Sequence, residues 1–441
     1  MTENYSTVVD RLRSAVRSGR TRPLEWRTEQ LRRLRALLSE RGSELADAMF
    51  ADLHKSESEG NTYEIEVVIR EIDHTLTHLE SWLRPEPVEL SGYDFAAGST
   101  AVTRYDPLGV VLVIGTWNYP VQLLLLPIAG ALAAGNTVVA KPSDVAPATS
   151  AAVARLLPQY FDPDTMVVVE GGRSATDALL AERFDHIFFT GGAAVGRVVM
   201  KAAAAHLTPV TLELGGKSPV FIDRDVDLAA VAERLVWAKF NNAGQVCVTT
   251  DYVLTDPDTA RGLESALAAA VTDRFGDDPA TSPKYGRIVN ERHFDRLTAL
   301  LESGRTVVGG QHDRAQRYIA PTVLASVTAD SPVMQEEIFG PILPIVEVPD
   351  LDKALEFINN HDKPLALYAF TDSDTTRERL ATETSSGGVA FGLPLVQLLV
   401  HDLPFGGVGA SGLGNYHGRY SIETFSHRKA VVDAKQSCIV P

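Results

Sequence analysis

Val110-Val111-Leu112-Val113-Ile114 is followed by Gly115-Thr116-Trp117-Asn118-Tyr119-Pro120, then by an apolar run from Val121 to Ala134, then by Thr137-Val138-Val139-Ala140-Lys141. Two short β-branched runs on either side of a longer apolar stretch read as strand, helix, strand. The helix is expected from Pro120 to Ala134, with Pro120 in its first turn. A strand that is apolar at every position is buried on both faces, as in a parallel sheet. The alternation continues downstream, with strands expected at Met166 to Val169 and His186 to Phe189 and a helix from Ala148 to Leu157. The fold class is therefore α/β, with a mostly parallel sheet whose ligands collect at the carboxyl ends of the strands.

Upstream, Leu31, Leu34, Leu38 and Leu45 recur at helical spacing between Glu25 and Lys55, and Gly42 is expected to interrupt or bend that helix. A second amphipathic helix is expected from Glu64 to Leu83, ended by Pro85 and Pro87. Val88 to Tyr105 mixes Gly, Ser and aromatics with short alternating stretches and reads as a hairpin. Downstream, Val210 to Ile222 supplies strands around Gly215-Gly216. Leu228 to Phe240 reads as a helix capped by Asp227. Strand-like runs recur at Tyr252 to Leu254, Thr306 to Val308 and Leu343 to Val348. The glycine-dense stretch from Pro404 to Gly418 reads as loop. No internal repeat is present.

The chain has 441 residues, 45% of them hydrophobic and 22% charged, enough for two or three domains with large cores. Its net charge of -16 repels phosphate backbones and anionic lipid, so nucleic acid is not an expected partner. Only two cysteines occur, Cys247 and Cys438, which is no disulfide framework and points to a reducing compartment. The eleven histidines are scattered without zinc-ligand spacing, so no metal is expected. The amino terminus is polar and the run from Val121 to Ala134 is shorter than the roughly 20 residues a bilayer requires. The expectation is a cytoplasmic protein without a membrane anchor.

Several residues fall where chemistry is possible. Cys247 closes Phe240-Asn241-Asn242-Ala243-Gly244-Gln245-Val246-Cys247, a helix running into a glycine turn. Backbone amides in such a turn favour a thiolate and can hold an oxyanion, although an isolated cysteine is more often a buried hydrophobe. Glu213 lies in the alternating run Val210-Thr211-Leu212-Glu213-Leu214 before two glycines. It is placed to act as a general base or, more blandly, to sit exposed in a salt bridge. Asn118, beyond a strand end, is either an oxyanion donor or the N-cap of the next helix. Lys141 ends a strand and can meet a ribose or phosphate, and Asp144 can accept from ribose hydroxyls. Thr190-Gly191-Gly192-Ala193-Ala194-Val195-Gly196 opens a helix after a strand and can bring amides to a pyrophosphate. It is not the usual dinucleotide fingerprint.

In this order, Phe189-Thr190-Gly191, Leu212-Glu213-Leu214-Gly215-Gly216-Lys217, Gly244-Gln245-Val246-Cys247, Glu336-Glu337-Ile338-Phe339-Gly340-Pro341 and Pro404-Phe405-Gly406-Gly407 resemble the signatures of the aldehyde dehydrogenase superfamily. The resemblance runs from about Glu25 to Val432. Thr116-Trp117-Asn118-Tyr119-Pro120, Ser331-Pro332-Val333-Met334-Gln335 and Tyr416-His417-Gly418 resemble its class 3 branch, whose membrane-bound members carry a hydrophobic C-terminal anchor not seen here. The resemblance implies a Rossmann-like cofactor domain (1-88 and 107-210), an α/β catalytic domain (211-405) and bridging segments (89-106 and 406-441) that join a homodimer. It implies NAD or NADP as cofactor and an aldehyde as substrate.

By the same resemblance Cys247 is the nucleophile, Glu213 the general base and Asn118 the oxyanion donor. Lys141 and Asp144 are implied at the adenosine ribose, Gly192 near the adenosine-phosphate end, Gly191 and Gly196 at the pyrophosphate, and Glu337 at the nicotinamide ribose. Phe339 is implied beside the nicotinamide, and Thr116 and Trp117 among the cofactor-binding residues. Tyr119 and Trp237 would line a substrate channel suited to aromatic or medium-chain aliphatic aldehydes; for Trp237, ordinary core packing is the alternative. Asp144 stands where many relatives have glutamate, and Gly192 where many have serine or asparagine, which leaves NAD against NADP open. Two other readings stay open: an acylating or reductive enzyme that passes the thioester to coenzyme A, and a non-catalytic binding protein on the same scaffold.

Overall fold

The computed structural model describes residues 4–93 and 98–434. Among the described residues there are four sheets; three organise the chain, and the fourth is the small antiparallel pair His312–Asp313 and Tyr318–Ile319. The first has six strands in the order Gly412–Leu413, Val210–Glu213, His186–Thr190, Val110–Ile114, Thr137–Lys141, Met166–Val168. All neighbours are parallel except the edge strand Gly412–Leu413, which runs antiparallel to Val210–Glu213. Val110–Ile114, Thr137–Lys141 and His186–Thr190 are buried at every position, as their unbroken apolar character requires.

The second sheet has seven strands, in the order Arg305–Val308, Thr322–Val327, Ile342–Glu347, Tyr252–Thr255, Pro219–Ile222, Ala366–Phe370, Gly388–Phe391. Its first pair is antiparallel and the rest are parallel. The third is an antiparallel ribbon in which Thr100–Pro107 lies between Glu86–Val88 and Ser426–Asp433. The hairpin reading holds for the described part of Val88 to Tyr105; residues 94–97 lie outside it, as do residues 435–441 with Cys438. Glu86–Val88, placed by sequence with the cofactor part, belongs to this ribbon, whereas Gly412–Leu413, placed with the bridging segments, joins the six-stranded sheet.

Leu24–Leu53 forms one unbroken helix with Leu31, Leu34, Leu38 and Leu45 buried on one face. Gly42 does not interrupt it, contrary to one half of the expectation, and a β-carbon there would make only ordinary contact with Ile65 Cδ1 at 3.4 Å. A shorter helix, Tyr5–Arg17, escaped the sequence reading, although Val8, Val9, Leu12 and Ala15 carry its buried face and Asn4 accepts from the Ser6 amide at 3.2 Å. The second amphipathic segment begins earlier than expected. Glu57–Gly60 leads through a π turn, Asn61–Ile65, into Glu66–Trp82.

Gln122–Ala133 is helical and wholly buried, with Pro127 inside it, so the helix starts two residues beyond Pro120. Asp227 caps Leu228–Phe240 as read, accepting from Ala229 N at 3.0 Å and Ala230 N at 3.2 Å. The stretch Pro404 to Gly418 is mostly irregular but contains a Phe405–Tyr416 bridge, a 3₁₀ turn at Gly409–Ser411 and the edge strand Gly412–Leu413. Among the described residues no helix is long and apolar enough to cross a membrane.

Candidate active site

The carboxyl ends of the six-stranded sheet face the loop that carries Cys247. Register aligns Ile114 with Lys141 and Thr190 with Glu213, so the loops after these strands start from one edge. The Cys247 loop leaves Leu228–Phe240 through a 3₁₀ turn in which Asn242, Ala243 and Gly244 have φ of 49°, 51° and 75°. Two consecutive non-glycine residues in the left-handed region are costly and persist only when their surroundings hold them. Gln245 does much of that holding. Its Nε2 donates to Asn242 O at 2.9 Å and Arg287 O at 3.0 Å, and its Oε1 accepts from Val289 N at 3.0 Å. Gly244 has to be glycine, since a β-carbon would collide with the Gly340 carbonyl.

Cys247 lies where two cavities meet. One, of about 300 Å³, is lined by Thr116, Trp117, Asn118, Gly191, Gly192, Glu213, Glu337 and Phe339. The other is apolar and is walled by Tyr119, Trp237, Tyr63, Leu398, Phe405 and Tyr416, with no Lys, Arg or His on its wall among the described residues. Burial, with Glu337 and Glu213 nearby, pushes the Cys247 thiol up to about 12. The amides of Cys247 and Val248 pull the other way but are outweighed. The loop amides thus act toward the thiolate, as expected, against the opposing effect of burial.

Glu213 is neither exposed nor salt-bridged. It is 3% exposed, both carboxyl oxygens lack a hydrogen-bond partner among the described residues, and burial raises its pKa well above the usual carboxylate range. Glu337 is pushed up to about 8 by burial and by Asp251, against a hydrogen bond from Gly216 N and the charges of Lys217 and Arg296. Its Oε1 is buried and unpartnered.

Asn118 is 1% exposed and is not an N-cap. The helix Gln122–Ala133 is capped from elsewhere: Glu64 Oε2 accepts from Val121 N at 2.8 Å and Gln122 N at 3.2 Å. Asn118 Nδ2 instead donates to Gln245 O at 3.0 Å, two residues before the cysteine.

Trp117 meets Phe339 edge to face at 5.2 Å and His293 at 5.1 Å, forming an aromatic wall; Phe339 has φ of 50°. At the far end of the sheet Lys141 is buried, and its Nζ donates to Pro142 O at 2.8 Å. Burial lowers its pKa, while Asp144 and Glu170 raise it. Lys141, Asp144 and Gly196 do not line the 300 Å³ cavity. The glycine run needs two corrections. Gly191 N is spent on Glu213 O at 3.0 Å and Gly196 N on Gly192 O at 3.0 Å, so neither amide is free for a phosphate. A β-carbon on Gly196 would lie 2.9 Å from Leu214 Cδ2, which makes it a packing position. What remains for an anion is the first turn of Ala193–Ala204, which Gly192 opens.

Tyr119 and Trp237 both reach the apolar cavity. Trp237 Nε1 donates to Tyr63 OH at 3.0 Å, so its packing is directional as well as apolar. Sequence reasoning missed Tyr63, Leu398, Phe405 and Tyr416 on the same wall, and His293 and Arg296 on the other cavity. Tyr416 sat in a quoted motif, but Tyr63 lies far from Cys247 in sequence and no local pattern marks it.

The model of the "Aldehyde dehydrogenase family" matches residues 2–431. The chain is 48% identical over 422 residues to "Aldehyde dehydrogenase, dimeric NADP-preferring" of Canis lupus familiaris, covering 96% of this chain and 93% of that one. It is 50% identical over 422 residues to human "Aldehyde dehydrogenase family 3 member B1", covering 95% and 89%. The solved "Substrate bound state of Staphylococcus Aureus AldH" superposes with a TM-score of 0.96 at 39% identity, covering 99% of this chain and 95% of that one. The chain belongs to the aldehyde dehydrogenase family, and its curated relatives are of the class 3 kind. It is an NAD(P)-dependent enzyme that oxidises aldehydes to carboxylic acids.

Proposed function

We propose that Cys247 is the nucleophile, Glu213 the general base and Asn118 the oxyanion donor of this oxidation, and that the preferred substrates are aromatic or medium-chain aliphatic aldehydes. One observation carries the reading: Cys247 stands between an apolar cavity and a polar one. The apolar side admits the aldehyde between Tyr119, Trp237 and Tyr63. The polar side suits a nicotinamide nucleotide. Its buried, unpartnered Glu337 Oε1 needs a hydroxyl donor, the Trp117–Phe339 wall offers a ring face, and the Gly192 helix start offers amides to a diphosphate. When bound there, NAD or NADP supplies the acceptor for the aldehyde hydride.

The residues act in a fixed order. Sγ of Cys247 gives its proton to solvent and adds to the aldehyde carbon, and the new oxyanion takes hydrogen bonds from Asn118 Nδ2 and the Cys247 amide. Loss of hydride leaves a thioester on Cys247. Ionised Glu213 then accepts a proton from water as that water attacks the thioester carbonyl, releasing the acid and restoring the thiol. A buried carboxylate without partners is poised to take that proton, which favours water over coenzyme A as acceptor. Product analysis with and without coenzyme A tests this. Free acid at an unchanged rate is expected, and an acyl-coenzyme A product would overturn it.

Lys141 and Asp144 are placed at the adenosine end. Glu170 adds a second carboxylate there, and the pair tilts the site toward NAD even though a relative is named for NADP. The six-stranded sheet serves the cofactor and the seven-stranded sheet the cysteine loop. The exposed ribbon, with Val88, Val431 and Val432 open to solvent, pairs two copies, in keeping with a relative named dimeric. Sedimentation at micromolar concentration should show a dimer. Two cysteines in 441 residues favour a reducing compartment, and we take the cytoplasm as that compartment.

A further inference from the structure

Beneath Asn118 lies a buried ion pair that the chemistry above does not use. Lys55 follows the end of the Leu24–Leu53 helix, and Glu64 sits in the π turn Asn61–Ile65; both side chains are fully shielded from solvent. Lys55 Nζ donates to Glu64 Oε1 and to the main-chain oxygen of Asn118, the latter at 2.6 Å, and lies 3.7 Å from the centroid of the Tyr119 ring. The other oxygen of Glu64 caps Val121 N and Gln122 N. Asn242 Nδ2 completes the coordination of the Asn118 oxygen at 2.9 Å and also reaches Gln245 O at 3.1 Å. Glu59 Oε1 accepts from Asn242 N at 2.8 Å, which ties the same N-terminal segment to the strained turn before Cys247.

Both acceptor sites of the Asn118 carbonyl are thus filled, one by Lys55 and one by the cysteine loop. Burying two opposite charges is a poor route to stability compared with packing two apolar side chains of similar volume. Such a pair does fix geometry, because each charge must find its partner in one arrangement. A π turn, itself rare and often found at functional sites, carries one member.

We propose that Lys55 and Glu64 are positioning residues for the oxidation, locking the Asn118 main chain against the Cys247 loop so that the side-chain amide stays registered on the reacting carbon. The proposal rests on the reading of Asn118 as oxyanion donor. Neither residue touches substrate or cofactor; each acts through Asn118.

The test is a double-mutant cycle on the full-length enzyme with hexanal and NAD. Lys55→Met/Glu64→Gln removes both charges together, so that neither is left buried alone. Glu64→Asp keeps both charges, shortens the side chain by one carbon and serves as the milder variant. Lys55→Met/Glu64→Gln should lower kcat for hexanal at least about tenfold, and Glu64→Asp less, while Kd for NAD and the rate of Cys247 alkylation stay within about twofold. Added to Asn118→Ala, the pair change should cause no further loss, because both act through one amide. Wild-type kcat in the pair variant, or losses that multiply with Asn118→Ala, would overturn the proposal. So would failure of both variants to fold, since that assigns the pair to stability. Full activity in Asn118→Ala would overturn the reading of Asn118 itself, and the proposal with it.

Discussion

Glu337→Gln should stabilise the cofactor-free enzyme while impairing it. The folded carboxyl is raised from the usual 4.5 to about 8, first by burial and then by Asp251. In the unfolded chain it ionises near 4.5, so between that pH and about 8 the folded state holds one more proton than the unfolded state. Stability then falls as pH rises through this window, by about 1.4 kcal/mol per pH unit. At pH 7 the wild type carries a penalty of up to about 3 kcal/mol that is absent below pH 4.5. Glutamine has a similar shape and can keep the hydrogen bond from Gly216 N, but it has no charge to bury. Urea unfolding at fixed protein concentration, run at pH 5, 6, 7 and 8, should show the midpoint of Glu337→Gln pulling ahead of wild type as pH rises. The same change removes the acceptor offered to the cofactor ribose, so Kd for NAD should rise. A stability difference flat with pH, or one that shrinks as pH rises, would refute the reasoning.

Glu213→Gln should keep the first burst of reduced cofactor but slow steady turnover by about 10²–10⁴-fold. Because burial raises Glu213, wild-type turnover should climb with pH along a limb above the ordinary carboxylate range, and stopped-flow pH profiles should show that limb missing in the variant. Asp144→Asn/Glu170→Gln should raise the NADP-to-NAD ratio of kcat/KM about tenfold, since two carboxylates beside Lys141 repel a 2′-phosphate; an unchanged ratio would remove these residues from cofactor choice. Hexanal and benzaldehyde should have higher kcat/KM than succinic semialdehyde, because among the described residues no cation lines the apolar cavity to pair a substrate carboxylate. A reversed order in a substrate panel would count against that cavity as the aldehyde site.

Much of this site was legible because its chemistry sits at the ends of strands with unbroken apolar sequence. Val110 to Ile114 and Thr137 to Lys141 announced their burial, and with it where Asn118 and Lys141 fall, whereas the alternating run Val210 to Glu213 marked a strand end without announcing that Glu213 is buried. Ionisation states were not legible. The amides around Cys247 are a local feature, whereas the desolvation that outweighs them comes from walls contributed by distant segments. For Gly191 and Gly196 the sequence left their amides open, since a glycine run after a strand can serve phosphate binding or close packing and the partners Glu213 O and Gly192 O come from the fold. Lys55 and Glu64 carried no signal at all, since a lysine and a glutamate nine positions apart look like solvated helix charges until the fold buries both.

The covalent role of Cys247 is the centre of the account, and mass analysis of the quenched enzyme tests it. Wild-type enzyme mixed with hexanal and NAD, stopped with acid within the burst, should carry the mass of one hexanoyl group on the peptide containing Cys247. Cys247→Ser, treated identically, should bind NAD, carry no adduct and have lost nearly all turnover. An unmodified Cys247 peptide during turnover, or a serine variant with most of the wild-type rate, would contradict it.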